Sequence, residues 1–323
     1  MNPEKIAAIV MLVSVMLSAG LEINVEHLLA ALKNYGLFAR ALLANFIIVP
    51  VFGVLLARAF RLEEYIAIGF VLMALAPGVP FLVRAAGRTP GGSLGFAAAL
   101  AFVMPALSIA TIPLSARFIF AAGLIAPAEV AGHVPIARIA VTLVGFQLVP
   151  LLVGLLIASR APKLATKLRR PLLLLFFVAV VALLVILGPT LIKAVASVYG
   201  SRGMLAIVVL VLLSEGSGWI LGGPSVQYRR TLSIATMLRN IGTCAVVATA
   251  TFPKTLVAPT VLTYFIIQFL ISIIFRVYFH RGAARATAAE KAHHDAAHSF
   301  EVRDLDARHD RLYLADRRRH ERL

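Results

Sequence analysis

Met237-Leu238-Arg239-Asn240-Ile241-Gly242-Thr243 interrupts an apolar stretch that otherwise runs from Thr231 to Ala250. An arginine near the centre of a membrane span costs roughly 2.5–3.5 kcal/mol on insertion scales, so it persists only with a partner or a purpose. Snorkelling to a headgroup is a poor escape, because Arg239 lies nine residues past Arg230, about 13 Å along a helix. Asn240, Gly242 and Thr243 beside it supply side-chain hydrogen bonds and a point where backbones can approach. A second apolar stretch carries its own interruption, Ala76-Pro77-Gly78-Val79-Pro80. Two prolines three apart remove two backbone donors and clash with preceding carbonyls, so the helix breaks or kinks there. Carbonyls freed at membrane depth are tolerated only where protein buries them or where they line a wet cavity. Two discontinuous helices, one in each half of a chain, point to a transporter built on inverted repeats, with its site near the bilayer midplane. Half-helix amino termini then aim their positive ends at an anionic group.

The rest of the chain agrees with a membrane reading. Of 323 residues, 60% are hydrophobic and 14% charged, with a mean hydropathy of +0.92, against roughly half and a quarter in soluble domains. The apolar residues fall into runs long enough to cross a bilayer as helices. Nine spans are expected, roughly over 5–22, 36–58, 65–84, 94–119, 135–159, 171–193, 203–222, 231–250 and 256–279. The first reads as a retained helix rather than a signal peptide, since Glu22 and Glu26 follow it and no small-residue cleavage site does. Residues 1–280 hold no Asp and seven Glu against 21 Lys plus Arg, and the cations cluster at span ends. That distribution orients helices and lacks the interleaved aromatics of a nucleic-acid surface, so no nucleic-acid partner is expected.

Loop charge sets the expected orientation. Arg160, Lys163, Lys167, Arg169 and Arg170 fall between spans five and six, and Arg229 and Arg230 precede span eight, while alternate loops are sparser. The positive-inside rule then puts the amino terminus outside and the carboxyl terminus in the cytoplasm of a plasma (inner) membrane protein. After His280 the composition changes: residues 281–323 carry ten Lys plus Arg, eight Asp plus Glu and five histidines. This reads as a charged cytoplasmic tail following a transmembrane domain over 1–280. His293, His294 and His298 have metal-compatible helical spacing, but nothing completes a site, and no metal is expected. The single Cys244 excludes an intramolecular disulfide and any CxxC motif.

Two further polar residues sit inside spans. Glu215, within Ser214-Glu215-Gly216-Ser217-Gly218, is the only carboxylate of the later spans; it either neutralises Arg239 or titrates as a proton carrier. Asn45, five residues before Pro50, either faces the cavity or bonds another helix. Arg84 and Arg88 read as anchors at the cytoplasmic end of span three.

At these residues the chain resembles the bile acid:sodium symporter family, over about residues 6–280. Leu17-Ser18-Ala19-Gly20-Leu21 is similar to the family's small-residue ending of its first helix, before an acidic loop. Asn45-Phe46 with Pro50 stands where the family has Gln-Phe and then Pro. Ala76-Pro77-Gly78 resembles the start of its Cys-Pro-Gly-Gly-Thr motif, and Ser214-Glu215-Gly216-Ser217-Gly218-Trp219 its His-Asn-Gly-x-Gly-aromatic segment. Thr231-Leu232-Ser233-Ile234 leads into Asn240-Ile241-Gly242 as the family's second crossing helix does. The resemblance implies an all-α integral membrane protein of panel and core domains. It also implies inverted repeats with two crossing broken helices, nine spans matching the family's shorter form of four plus five.

The departures bear on coupling. The family's sodium sites use a Ser-Asn pair, hydroxyls on the next helix, and Glu-x-x-x-Gln in the second crossing helix. Those positions here read Leu82 and Val83, the apolar stretch Phe96 to Ala101, and Ala235 with Arg239. A hard cation needs several oxygen ligands, which these side chains do not supply, and a guanidinium repels it. Arg239 is therefore expected to replace the bound cation and to hold a carboxylate or sulfonate bidentately. The expected substrate site comprises Arg239, Asn240, Thr243, Asn45, Pro77, Gly78, Val79 and Pro80, with Glu215 as a coupling residue. The expected activity is sodium-independent secondary transport of a small or amphipathic organic anion, with no cofactor, by uniport, by exchange or coupled to protons through Glu215. Three rivals differ from this. An arsenite-exporter-like permease would place a cysteine where Ala76 stands. A membrane-embedded enzyme would show HExxH or paired intramembrane aspartates, neither of which occurs. A receptor or sensor of organic acids would bind without flux.

Overall fold

Inside hydrocarbon every backbone polar group must be satisfied within the protein, and a chain of apolar runs meets that demand by folding into helices. The computed structural model describes residues 2–78, 81–126, 134–190, 192, 202–275 and 277. Among them the elements are α1 (Pro3–Gly20), α2 (Val25–Leu32), α3 (Tyr35–Ala59), α4 (Glu64–Leu75), α5 (Leu82–Gly87) and α6 (Leu94–Ala121). They continue as α7 (Ile136–Arg160), α8 (Pro162–Ile186), α9 (Gly203–Leu221), α10 (Val226–Met237), α11 (Ile241–Thr251) and α12 (Val257–Phe275). Val79 and Pro80 lie outside the described residues, as does the charged tail over 281–323 with His293, His294 and His298. Contacts group Met1–Ile274 into one unit; of the second, Phe275–Leu323, only Phe275 and Val277 are described.

Taking α10 and α11 as one interrupted segment, eight segments among the described residues are long and apolar enough to cross a membrane. The expected span over 65–84 is divided into α4, of 12 residues, and α5, of six. One boundary differs usefully from expectation. The basic stretch Arg160 to Arg170 is not a connection: only Ala161 separates α7 from α8, and Lys163, Lys167, Arg169 and Arg170 extend α8 by over two turns. Pro162 at the start of α8 needs no backbone donor, and the long cationic side chains let a helix continue past the apolar layer.

Local chemistry sets the helix starts. Asn24 Oδ1 accepts from the amides of Glu26 (2.9 Å) and His27 (3.2 Å), and Asn34 Oδ1 accepts from Leu37 at the start of α3. Ser93 caps α6 in the same way through the Phe96 amide. Two helices carry a wider π turn, Ala44–Ile48 in α3 and Val144–Leu148 in α7, each followed by Val-Pro. Pro50 and Pro150 have no amide to donate, and one wide turn absorbs the mismatch without a sharp kink.

Both expected breaks are present. After Leu75 the chain leaves helix, with Gly78 at φ +91°, where a Cβ would stand 2.9 Å from Met104 Cβ and Pro105 Cδ. Only glycine takes that turn against α6 without strain. In the second interruption Leu238 is extended (φ −83°, ψ 126°) and Asn240 restarts the chain as the cap of α11. The environments of the spans follow their chemistry. The window spanning α10 and α11 has the lowest mean hydropathy of the eight, 1.3, and is 94% buried, whereas the α8 window has 2.4 and is 22% buried. The interrupted, polar segment is enclosed by protein; the apolar one, with Leu174, Val178 and Val185 outward, presents itself to lipid.

Candidate functional site

The two breaks meet. A helix end leaves carbonyls without donors, and a helix start leaves amides without acceptors. Here the Asn240 amide donates to Ala76 O at 3.0 Å, so the start of α11 satisfies the end of α4. Cys244, one turn further along α11, donates through Sγ to Leu72 O at 3.2 Å. The backbone of Arg239 is held from α12. Its amide donates to Gln268 Oε1 at 2.9 Å, and Gln268 Nε2 donates back to Arg239 O at 3.4 Å. One carboxamide thus stands in for the helical hydrogen bonds that the break removes.

The Arg239 side chain is 1% exposed. Nη1 donates to Asn45 Oδ1 at 3.3 Å, while Nε and Nη2 are buried without a hydrogen-bond partner among the described residues. Asn240 Oδ1 accepts from the Thr243 amide at 3.2 Å, capping α11, and leaves its Nδ2 buried and unpartnered. The Tyr264 hydroxyl, also buried, lacks a partner. Each such unsatisfied buried donor costs about 1–3 kcal/mol, more when charged. A guanidinium whose planar fork keeps two nitrogens open beside a helix amino terminus is a geometry suited to an anion.

Thr243 Oγ1 donates to Gln147 Oε1, and Gln147 Nε2 donates to Pro105 O (2.7 Å) and Ser108 Oγ (2.8 Å). The polar cluster therefore joins α3, α6, α7, α11 and α12 through Asn45, Ser108, Gln147, Thr243 and Gln268. Both π turns serve it: Asn45 and Gln147 each lie within one, each wholly buried, and each aims its carboxamide at the second break or the turn after it.

The structure brings Arg239, Asn240, Thr243 and Asn45 into one place, with Pro77 and Gly78 next to the carbonyl that receives the Asn240 amide. Val79 and Pro80 of the expected site lie outside the described residues. Glu215 sits elsewhere, on α9 against α10, where its backbone carbonyl accepts from Ser233 Oγ at 3.2 Å. It is 7% exposed, and among the described residues its carboxylate accepts no hydrogen bond and makes no ion pair. The anticipated pairing with Arg239 is thus not formed; the guanidinium bonds neutral Asn45 instead. Arg84 is more than an anchor, since Nη2 donates to Glu22 Oε1 at the end of α1, where Arg169 also donates to Leu21 O.

Gln147, Gln268, Ser108 and Tyr264 were missed from sequence. Gln147 had a signal: it is the one amide of its span, shortly before a Val-Pro pair, as Asn45 is. Gln268, alone in the stretch from Phe265 to Leu270, had a weaker one.

Residues 9–201, more than half of the chain, match the sodium bile acid symporter family. This chain belongs to that family. Sodium bile acid symporter family members are transporters, and the polytopic helical fold described above is of the kind that work requires. Among its relatives, the P3 protein of Bos taurus is 26% identical over 234 residues and that of Homo sapiens 27% over 233. Each alignment takes in 69% of this chain and 46% of the relative, so the chain spans about half the length of those proteins. The hepatic sodium/bile acid cotransporter of Rattus norvegicus is 28% identical over 295 residues, 84% of this chain and 77% of that protein. The family match ends before α9, so the part of this sodium bile acid symporter family member that carries Arg239 lies beyond the matched region.

Proposed function

We propose that this protein is a sodium-independent secondary transporter of an organic anion, with the Arg239 guanidinium in the role that a bound cation plays in sodium-coupled relatives. The observation that carries this reading is a buried guanidinium at the crossing of two broken helices, with two nitrogens free of partners. A fixed positive charge at that point steadies the carbonyl ends of the half-helices permanently, so anion binding no longer waits on an ion. The positions where sodium ligands are expected support it. Leu82, Phe96, Ala97 and Ala235 are buried apolar residues and supply no oxygen side chain, so the residues present do not fit a sodium site. The substrate class follows from the fork geometry: a carboxylate or sulfonate takes two parallel N–H donors.

The remaining architecture is part of the same proposal. Nine spans, counting α4 with α5 as one, leave the amino terminus outside and the carboxyl terminus in the cytoplasm of the plasma membrane, in keeping with the basic residues around Arg160–Arg170 and Arg229–Arg230. The packing of α1 along α7 and α8 suits a panel that moves against a core built on the crossing. Glu215, buried in the later half with no partner for its carboxylate among the described residues, is the proposed proton carrier.

Purified protein in liposomes tests this by uptake of taurocholate and benzoate, a sulfonate and a carboxylate. Replacing sodium with choline leaves uptake unchanged, Arg239→Ala removes it, and Glu215→Gln removes its response to an imposed pH gradient while leaving anion exchange. A severalfold drop in choline, or full uptake by Arg239→Ala, contradicts the proposal. Binding of these anions by thermal shift without any flux would favour a sensor.

A further inference from the structure

Thr243 and Asn240 lie one turn apart on α11, and their face continues through Val247 to Thr251 at the end of that helix. Opposite runs α7, from Arg138 through Leu143 to Gln147. Between them is a crevice lined by Lys5, Arg138, Leu143, Val246, Val247 and Thr251, with a cavity volume of about 20 Å³. That is room for about one water. Thr251 Oγ1, which lines it, is buried without a hydrogen-bond partner. Two cations, Lys5 and Arg138, are among its lining residues, and Leu143 and Val247 in its wall each stand one turn from the Thr243–Gln147 hydrogen bond. Beyond that bond, one more turn along α11, stand Asn240 and Arg239. From Thr251 to Asn240 is 11 residues, about 16 Å of helix, or half the hydrocarbon thickness.

We infer that this crevice is the anion's entry route from the amino-terminal side and that Gln147 is its bolt. The inference rests on the transport reading above and adds a route and a gate to it. An anion is drawn to the Lys5–Arg138 mouth, where two cations raise its local concentration. It cannot pass while α7 and α11 are joined, because the gap holds no more than a water. Gln147 is suited to joining them. Its carboxamide is wholly buried, both its N–H groups are engaged on α6, and its oxygen receives the Thr243 hydroxyl. The π turn fixes that aim, leaving the Thr243 bond as the part that opens. Parting α7 from α11 at this point breaks the Thr243–Gln147 hydrogen bond, which an arriving anion replaces when it engages the open donors of Asn240 and Arg239. Gln147 is accordingly a positioning residue for the gate, not a residue that holds the anion.

The test uses thiol accessibility in the full chain, with Cys244→Ala removing the native thiol and Val247→Cys placing one in the crevice wall. Two methanethiosulfonates of similar size, anionic sulfonatoethyl and cationic trimethylammonioethyl, are applied from the amino-terminal side. With the bolt intact, modification by both is slow. Gln147→Met, which keeps volume and removes all three hydrogen bonds, speeds it by tenfold or more. Thr243→Val, which removes only the hydroxyl from the other side, does the same, so a folding failure in one variant leaves the other to decide. Lys5→Glu with Arg138→Glu lowers the anionic-to-cationic rate ratio severalfold. Rates unchanged in both bolt variants overturn the gate, and an unchanged ratio overturns the route. Taurocholate flux measured on the same proteins separates the two readings. Faster modification with no flux in any protein keeps the bolt and removes the transport proposal, whereas flux with unchanged modification does the reverse.

Discussion

Asn45→Asp moves stability and transport in opposite directions. In the native protein the Arg239 guanidinium donates to a neutral amide oxygen 3.3 Å away and keeps Nε and Nη2 open. A carboxylate at that oxygen would interact with the guanidinium by about 5 kcal/mol, from 332/(20 × 3.3) at an effective dielectric constant near 20. Burying the new charge returns much of this, as desolvation costs several kcal/mol per ion. A net gain of about 1–3 kcal/mol remains, because the arginine's own burial is already met in the native fold. At about 2–4 °C per kcal/mol, the value for larger domains, the melting temperature rises by roughly 2–12 °C. The same carboxylate cancels the charge that draws the substrate to the open Nε and Nη2, so taurocholate and benzoate uptake falls to background. Ligand-induced stabilisation, about 2.7 kcal/mol at a hundredfold excess over Kd, disappears. The assays are a thermal melt in detergent with and without ligand, and uptake into liposomes. A variant that melts lower than native, or one that transports at the native rate, would refute the assignment of Arg239 as the anion's partner. Asn45→Leu supplies the contrast: it lowers the melting temperature, since it strips the one bond held by a buried charge.

Two further outcomes concern packing and pH. On α9, a Cβ at Gly218 would lie 2.3 Å from Thr236 Oγ1 and 2.6 Å from Leu232 O, whereas one at Gly216 meets nothing within 4 Å. Gly218→Ala therefore costs about 1–3 kcal/mol by forcing α9 and α10 apart, while Gly216→Ala is neutral or stabilising by up to about 1 kcal/mol; equal melting temperatures would contradict the close crossing. Burial raises the pKa of Glu22 above its ordinary value of 4.5, with the neighbouring Arg84 opposing the rise. The folded state then holds this proton more tightly than the unfolded one, so the contribution of Glu22 to stability is full below pH 4.5 and is lost as pH climbs through the raised value. Melting-temperature profiles above pH 4.5 should slope downward more steeply for the native protein than for Glu22→Gln, and parallel profiles would count against a buried carboxylate there.

Much of the fold could be read from residue order because its causes are local. Pro77 and Gly78 end a helix by covalent geometry, and Pro50 and Pro150 mark wide turns by lacking an amide. The start of α8 was misread because apolar content alone does not say where a helix begins; Pro162 and the snorkelling cations did. The second break is of another kind. Nothing in Leu238-Arg239-Asn240 forbids helix, and the chain opens there because Gln268 and Ala76 offer hydrogen bonds that replace the helical ones.

Sequence by itself determined that this chain crosses a bilayer repeatedly, that one segment must break at its prolines, and that a permanent charge lies deep within another. Those conclusions follow from the cost of moving polar groups out of water, which each residue carries wherever it sits. Tertiary structure decided that the two breaks satisfy one another, that Asn45 rather than Glu215 meets Arg239, and that Gln147 bonds Thr243 beside them. Those depend on which groups from distant helices arrive within 3.5 Å of one another, and hydrogen-bond energy falls away too steeply with distance for any local pattern to encode it.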